Sequence, residues 1–343
     1  MRFRSVHLAS LAHALPEEVV TSDALEARLW PLYERLGVSV GRLELMSGIK
    51  ERRFWPPGTR PSHAATVAGE LALERAGVSR DQIGLLIFTG VCRDFMEPAT
   101  ASVVHAKLGL SPTCPAFDVS NACLGFLNGM ALAAEMIERG SLETALIVSG
   151  EDGRPLIDET IRALTAGHEV GRRELKLAYA SLTIGSGAAA AVLTSARRAP
   201  HGPRIVGGAV LAATEHHELC SGDRIENGGP LMQTDSEALL HAGNALAAET
   251  WGAFLKEVEW RAEDVERIVT HQVGVQHKKL LFDTLGLDHA RDFPTVAEYG
   301  NIGSVSLPLS LSLAREAGFV RDGQRVALMG IGSGLHCMML ALE

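Results

Sequence analysis

Three residues of this 343-residue chain have the type and setting needed to handle an acyl group. Cys123 lies in NACLGF, where a strand-like segment, FDVS, turns into a sequence with helical spacing. Its sulfur is therefore expected at a helix N-terminus, where unpaired N–H groups and the helix dipole favour a thiolate. A thiolate is the attacking species in thioester exchange. A buried structural cysteine is the alternative for this position.

Two further polar residues occupy positions where ligands commonly bind. His271 follows the apolar segment RIVT, and a histidine leaving the carboxyl end of a strand in an α/β fold faces the usual ligand crevice. Asn301 lies in the glycine-rich turn YGNIGS, where a left-handed turn residue is the alternative explanation. Together, the sulfur, the imidazole and the amide predict a nucleophile with two hydrogen-bond donors for a carbonyl oxygen.

An internal repeat explains how distant residues could meet. Four segments of the first half return in the same order in the second, each built around a short apolar run that predicts a strand. The pairs are 80–90 with 263–274, 117–126 with 293–304, 143–153 with 324–332, and 184–193 with 331–340. The pattern predicts two related α/β units, 1–195 and 196–343, with an insertion at 151–183. If two sheets share central helices, the arrangement has five layers, αβαβα.

The motifs in their order resemble the thiolase superfamily, and within it the initiating ketoacyl-synthase-III type. They are GIKERR (48–53), NACLGF (121–126), THQV (270–273), YGNIG (299–303) and GIGSGL (330–335). The resemblance implies that Cys123 is acylated and that His271 and Asn301 bind the thioester oxygen of the second substrate. It also implies an oxyanion hole made by the backbone N–H groups of Cys123 and Gly334.

A condensing enzyme needs a carbanion, formed by loss of CO₂ from a malonyl thioester or by removal of an α-proton. The segment VCRDFMEPATAS, with NACLGF, resembles the OleA family of olefin biosynthesis, which joins two fatty acyl-CoA thioesters without decarboxylation. This resemblance implies that Glu97 is the base and acts across a homodimer interface. A surface ion pair or a charge at a helix start is the alternative for Glu97.

Two departures from that family keep other condensations open. Gly125 stands where OleA-like sequences often carry a different small residue, and Gly274 stands where they often carry a serine. The alternatives are a decarboxylating ketoacyl synthase III that uses an acyl-CoA and a malonyl thioester, and a secondary-metabolite ketosynthase that joins two acyl chains. A non-catalytic partner subunit is a further possibility, which the presence of all three site residues disfavours.

Coenzyme A or an acyl carrier must be held through its phosphates. Arg52 and Arg53, with Trp55 beside them, form the best local cluster for phosphate binding and adenine stacking. A solvated basic turn is the alternative. Lys278 and Lys279 are a weaker candidate for the same contact.

The bulk composition limits the class of protein. A net charge of −9 argues against nucleic-acid binding, and no apolar run approaches the length of a membrane span. The five cysteines fit neither a disulfide framework nor a zinc site, so a reduced cytoplasmic location is expected, with no metal. No cofactor is expected beyond the coenzyme A thioesters that serve as substrates.

Overall fold

A computed structural model of the chain describes residues 1–166, 170–198, 202–224 and 229–343. Its strands are β1 Val6–Ala14, β2 Glu18–Thr21, β3 Glu51–Phe54, β4 Leu85–Phe88, β5 Ala116–Asp118, β6 Thr144–Glu151, β7 Gly187–Ser195, β8 Ile205–Ala212, β9 Cys220–Arg224, β10 Pro230–Thr234, β11 Arg267–Thr270, β12 Val326–Gly332 and β13 His336–Leu342. Its α-helices are α1 Ser22–Arg28, α2 Trp30–Leu36, α3 Arg42–Ser47, α4 Pro61–Ala76, α5 Thr100–Leu108, α6 Gly125–Glu138, α7 Arg154–Thr165, α8 Arg172–Ala178, α9 Ser236–Val258, α10 Val275–Leu285, α11 Val296–Tyr299 and α12 Ser306–Glu316.

The first half forms a five-stranded sheet in the order β1-β7-β6-β4-β5. The strands β4, β5 and β6 run parallel, whereas β7 runs antiparallel to both β6 and β1. Every residue of β4, β6 and β7 is buried, which matches their continuous apolar sequence. A sheet covered on both faces selects such sequences, because neither face of the strand meets water.

The second half repeats this topology in the order β11-β12-β13-β8. Here β11 runs parallel to β12, and β13 runs antiparallel to both β12 and β8, so each strand has a counterpart in the first sheet. The counterpart of β5 differs. The sequence predicts a strand near 293–304, but in its place the structure has one bridge between Ile268 and Asp292. Pro294 has no N–H for a strand ladder, which explains the missing strand.

The layers follow from which faces the helices cover. The helices α4 and α5 pack on the outer face of the first sheet, and α9 and α10 cover the outer face of the second. Between the sheets lie α6 and α12, whose apolar side chains join both sheets in one core. The five-layer α/β arrangement predicted from the repeat is therefore confirmed.

A separate apolar cluster lies outside these layers. It joins α1, α2 and α3 with α7 and α8, and its members include Leu25, Tyr33 and Ile157. The predicted insertion at 151–183 supplies α7 and α8, although its residues 167–169 lie outside the described part, as do 199–201 and 225–228 of the predicted second half. The division at 195 stays a prediction. Among the helices described, none has the length and apolar character to cross a membrane.

Candidate active site

One large cavity brings together the three residues singled out by their chemistry. Cys123, His271 and Asn301 all line a space of about 1120 Å³ between the two halves. Ligand sites in proteins usually measure roughly 300–1,000 Å³, so this cavity has room for a long apolar ligand. Most of the surface that lines it is apolar, as an acyl chain requires.

Cys123 sits in a tight turn between β5 and α6. The residue before it, Ala122, has a φ of 46°, in the left-handed region that residues other than glycine seldom adopt. The turn continues directly into α6, whose first residue is Gly125. A Cβ at Gly125 would lie 2.3 Å from the carbonyl oxygen of Thr89, so glycine is required for the helix to start this close to the sheet.

The electrostatic setting of Cys123 differs from the prediction. Burial, with smaller contributions from the nearby Glu151 carboxylate and from Cys220, raises the pKa of the Cys123 thiol to about 12. The sulfur lies just before α6, but loss of solvation outweighs the helix terminus. The expectation of a stabilised thiolate is therefore wrong for the resting site, which holds a neutral thiol.

His271 is fixed at the end of β11. Its backbone N–H donates to the carbonyl oxygen of Met329 at 2.8 Å, which extends the pairing of β11 with β12. Burial, with a smaller contribution from neighbouring His277, lowers the pKa of the imidazole to about 4. The ring is therefore neutral from about pH 5 upward and carries one N–H donor. Its Nδ1 is buried and has no partner among the described residues.

Asn301 is held by hydrogen bonds on its backbone and on its side-chain oxygen. The backbone N–H donates to Thr183 at 2.9 Å, and the carbonyl oxygen accepts from Gly185 at 2.8 Å. The side-chain Oδ1 accepts from the N–H of Gly303 at 3.0 Å. Because the oxygen is occupied by the backbone, the NH₂ group is the part left to donate to a ligand.

The backbone beside Cys123 belongs to Gly332 rather than to Gly334. A Cβ at Gly332 would lie 3.4 Å from the backbone nitrogen of Cys123, and Gly332 and Ser333 line the cavity. Gly334 does not line it, and a Cβ there would meet the ring of His336 at 2.6 Å. The assignment of Gly334 as the second oxyanion donor stays a prediction, and the cavity residues nearest to it in the same glycine-rich segment are Gly332 and Ser333.

Glu97 lies outside the cavity of its own chain. It is exposed on the loop after β4, next to Met96, which is 97% exposed. Other residues of this loop, Val91 to Met96, do line the cavity. A role for Glu97 in catalysis thus requires a second copy of the chain.

Comparisons with known proteins show relatives that match nearly the whole chain. The family model for 3-oxoacyl-[acyl-carrier-protein] synthase III matches residues 117–211, and the model for the C-terminal part of that enzyme matches residues 255–343. The model for the thiolase N-terminal domain matches residues 59–160. An acyl-CoA:acyl-CoA alkyltransferase of Xanthomonas campestris is 41% identical over 99% of this chain and 98% of its own length. The corresponding alkyltransferase of Shewanella oneidensis is 39% identical, with both chains fully covered.

The chain belongs to the acyl-CoA:acyl-CoA alkyltransferase family. Among solved structures, cerulenin-bound OleA of Xanthomonas campestris superposes with a TM-score of 0.95 at 40% identity, covering 100% of this chain and 98% of that one. A cysteine-to-serine variant of the same OleA, with bound lauric acid and lauroyl-CoA, gives a TM-score of 0.94 at 40% identity and covers 99% of both chains. The predicted superfamily and OleA-like subfamily are confirmed.

The contacts expected for the carrier of this alkyltransferase need correction. Arg52 is 0% exposed, and its guanidinium donates to Ser22 Oγ at 3.1 Å and to the carbonyl oxygen of Leu182 at 3.3 Å, away from solvent. Arg53 donates to the carbonyl oxygen of Pro16, and Trp55 donates to that of Glu151. None of the three predicted residues lines the cavity. The role of Arg52 in phosphate binding is therefore withdrawn.

Two other arginines do line the cavity of the alkyltransferase. Arg60 lies over the ring of Phe95, with its guanidinium carbon 4.5 Å from the ring centre, and exposed Arg93 follows β4. Lys278 also lines the space, but its Nζ lies 2.7 Å from buried Asp292. The prediction chose Arg52 and Arg53 because they lie next to an aromatic pair in the sequence. The burial of Arg52 could not be predicted in this way, since it depends on chain segments far from it in sequence.

Four cavity residues were not recognised from the sequence. They are Cys92, Glu151, Cys220 and His277. His277 follows His271 by less than two helical turns, and burial lowers its pKa to about 4. Glu151 ends an apolar strand, which was the one available signal, because a carboxylate that follows a buried strand lies where ligands bind.

Proposed function

We propose that this enzyme joins two acyl-CoA thioesters by a non-decarboxylative Claisen condensation, through an acyl-Cys123 intermediate. The observation that carries the proposal is the meeting of Cys123, His271 and Asn301 in one large, mainly apolar cavity. The chain's 41% identity to an acyl-CoA:acyl-CoA alkyltransferase over nearly its whole length supports the same reaction. The product is a 2-alkyl-3-ketoacyl thioester.

In the first stage, Cys123 exchanges its thiol for the acyl thioester. The sulfur attacks the carbonyl carbon, and the developing oxyanion is stabilised by the backbone N–H of Cys123 and by a second N–H from the glycine-rich segment 332–334. The bond to coenzyme A breaks, and its sulfur leaves with the proton that Cys123 loses. The raised pKa of the thiol means that deprotonation accompanies attack rather than preceding it.

In the second stage, another acyl-CoA places its thioester oxygen against His271 and Asn301. The neutral imidazole and the amide NH₂ group donate to this oxygen and stabilise the enolate that forms when an α-proton is removed. The α-carbon then attacks the acyl-cysteine carbonyl, the carbon–sulfur bond to Cys123 breaks, and the thiol regains a proton.

We assign the base to Glu97 of a second protomer in a homodimer. Glu97 is exposed beside Val91, Phe95 and Met96, three apolar side chains that are also exposed and would be buried by a second copy. Solved variants of Xanthomonas OleA replace one glutamate or one cysteine, and these two residues have the same sequence separation as Glu97 and Cys123.

Arg60 and Arg93 are our candidates for the phosphates of coenzyme A. Both line the cavity, and neither forms an ion pair with a carboxylate among the described residues. Arg60→Ala should raise the KM for lauroyl-CoA by about tenfold at low salt and leave kcat within about twofold, since ground-state binding alone is lost. Arg53→Ala, whose side chain faces away from the cavity, is the matched control; equal KM values for the two variants would contradict the assignment.

The free state of all five cysteines supports a reducing compartment, and we place the enzyme in the cytoplasm.

One alternative reaction has a specific observation in its favour. The match to the 3-oxoacyl-[acyl-carrier-protein] synthase III models fits a condensation driven by loss of CO₂ from a malonyl thioester.

One assay separates the two reactions. Wild-type protein is incubated with lauroyl-CoA alone, and with lauroyl-CoA plus malonyl-CoA, and the products are analysed by mass spectrometry. Our proposal predicts a chain-doubled 3-keto product from lauroyl-CoA alone. Product formation that requires malonyl-CoA, with a chain extended by two carbons, would overturn it.

A further inference from the structure

Glu151 is a buried carboxylate at the centre of the site to which the condensation steps above give no role. It is the last residue of β6, is 4% exposed and lines the cavity. It accepts three hydrogen bonds from backbone N–H groups, those of Val91 at 2.8 Å, Cys92 at 2.9 Å and Ser304 at 3.2 Å. A single side chain thus joins two loops that are far apart in the sequence.

Both loops carry residues of the proposed mechanism. The loop that begins at Val91 leads to Glu97, the base that we assign to the neighbouring site. The other contains Asn301, three residues before Ser304. Gly303, between them, has a φ of 52°, and a Cβ there would lie 3.1 Å from Oε1 of Glu151. The backbone has thus adopted a glycine conformation that brings it against the carboxylate.

The nucleophile is tied to the same group. Oγ of Ser304 accepts a hydrogen bond at 2.9 Å from the backbone N–H of Phe126, in the first turn of the helix that follows Cys123. The Ser304 backbone in turn donates to Glu151. One carboxylate therefore connects the start of α6, the Asn301 loop and the Glu97 loop.

This arrangement has an electrostatic cost for the nucleophile. Burial raises the pKa of Glu151 above its usual value, and the hydrogen bonds from the three backbone N–H donors offset part of this rise. Its negative charge raises the pKa of the Cys123 thiol. A carboxylate beside a nucleophilic sulfur slows the first stage of the reaction, so its presence calls for a benefit in the second.

We propose that Glu151 is a positioning residue for the carbon–carbon bond-forming stage, which holds the Asn301 loop and the Glu97 loop in register. The inference rests on the proposed function, because the two stages belong to it. Its consequence is specific: loss of the charge should have opposite effects on the two stages. A side chain with only a structural role would weaken both alike.

The test uses Glu151→Gln in the full-length protein. Three quantities are measured: the pH dependence of iodoacetamide alkylation of the Cys123 peptide, the rate of acyl-Cys123 formation from lauroyl-CoA, and the rate of the doubled product. We expect alkylation at neutral pH to rise roughly three- to tenfold, as removal of a nearby negative charge lowers the thiol pKa. Condensation should fall by about tenfold or more as the loops lose their position.

Glu26→Gln is a matched control. Glu26 is also buried and accepts from two backbone N–H groups, those of Gly41 at 2.5 Å and Leu43 at 2.7 Å, but it does not line the cavity. Its substitution should leave the alkylation profile and the ratio of the two rates as in the wild type. Parallel losses in both stages of Glu151→Gln, with an unchanged alkylation profile, would overturn the inference.

A second variant serves if Glu151→Gln does not fold. Glu151→Asp keeps the charge and shortens the reach, so we expect wild-type alkylation of Cys123 with condensation reduced about tenfold. Equal effects on both stages, or none on either, would contradict the proposal. A wild-type protein that makes no doubled product would refute the proposed function instead, and the alkylation profiles would remain readable.

Discussion

The two halves of the molecule share a scaffold but contribute different chemistry. In each half a residue with positive φ precedes the functional side chain: Ala122 before Cys123, and Gly300, with a φ of 68°, before Asn301. A glycine follows two positions later in both, at Gly125 and Gly303. The duplicated turn therefore presents a nucleophile in one half and a neutral hydrogen-bond donor in the other. The fold determines where the functional side chain lies, and the residue type determines its chemistry.

The difference between the halves predicts separable defects. Substitution of Cys123 in the first duplicated turn should stop acylation, whereas substitution of Asn301 in the second should stop condensation after the acyl-enzyme has formed. The expected effects differ in size.

Replacement of Cys123 should have the largest effect. Cys123→Ala removes the atom that forms the covalent bond, so we expect no acyl adduct by intact-protein mass spectrometry and at least roughly a thousandfold loss of product. Cys114→Ala is the control, because Cys114 is a buried free cysteine in the outer core of the first sheet. A Cys123→Ala protein that still carries an acyl group would disprove the assignment of the nucleophile.

Glu97 belongs to neither duplicated turn, and its loss should be nearly as severe. Glu97→Gln should reduce condensation by about a hundredfold or more, since a general base is lost, while the acyl-Cys123 adduct still accumulates. Glu74→Gln, on the exposed side of α4, should behave as the wild type. Mixed dimers of Glu97→Gln and Cys123→Ala protomers should regain activity, because one of their two sites is intact. No recovery on mixing would argue against a base supplied by the partner.

His271 and Asn301 should each contribute about a hundredfold to condensation, with little effect on acylation, as donors to an oxyanion do. His271→Ala and Asn301→Ala are the variants, and His105→Asn in α5 is the control. Because the pKa of His271 is lowered to about 4, the imidazole keeps its neutral form as the pH falls from 8 to 5. The condensation rate should therefore not fall between pH 8 and pH 5 through protonation of His271. A fall in the wild type that is absent from His271→Ala would mean that the imidazole titrates in this range.

Exchanging the residue types at the two positive-φ positions, Ala122 and Gly300, should have the smallest effect on the rate of the reaction. Ala122→Gly should change the free energy of unfolding by less than about 1 kcal/mol, as relief of strain offsets the greater freedom of the unfolded chain. Gly300→Ala should cost about 2 kcal/mol or more, because its Cβ would lie 2.6 Å from the carbonyl oxygen of Thr183. Urea unfolding measures both. Equal stabilities would show that the two turns are not under the constraints described.

The sequence predicted the scaffold and the three convergent residues because both depend on local pattern. Apolar runs, glycine turns and their repetition define the sheets, and the repeat places Cys123 and Asn301 in equivalent turns. The fifth strand of the second sheet was predicted wrongly, since resemblance to 117–126 outweighed the effect of Pro294. Whether Gly334 donates to the oxyanion stays a prediction, because neighbouring residues of one glycine-rich turn look alike in sequence.

Predictions that depended on burial or on distant contacts were the ones that failed. Arginine is a common phosphate-binding residue, yet Arg52 packs inside the fold. Its guanidinium donates hydrogen bonds there to Ser22 and to the carbonyl oxygen of Leu182. The thiolate expected at Cys123 requires solvent or a cation, and the structure supplies burial and Glu151 instead. The place of Glu151 at the end of an apolar strand was a signal for a cavity residue, but its hydrogen bonds could not be predicted, because its three N–H donors come from segments around residues 91 and 304.

The central claim is that Cys123 holds one acyl group as the electrophile and a second acyl-CoA supplies the carbanion. A direct measurement loads the protein with lauroyl-CoA labelled with a heavy isotope at its carbonyl carbon, removes free coenzyme A and all unbound labelled lauroyl-CoA, and then adds unlabelled lauroyl-CoA without any malonyl thioester. We predict a doubled product whose label lies only in the ketone carbon. A label in the carboxyl or thioester carbon, or no product until a malonyl thioester is added, would contradict the account.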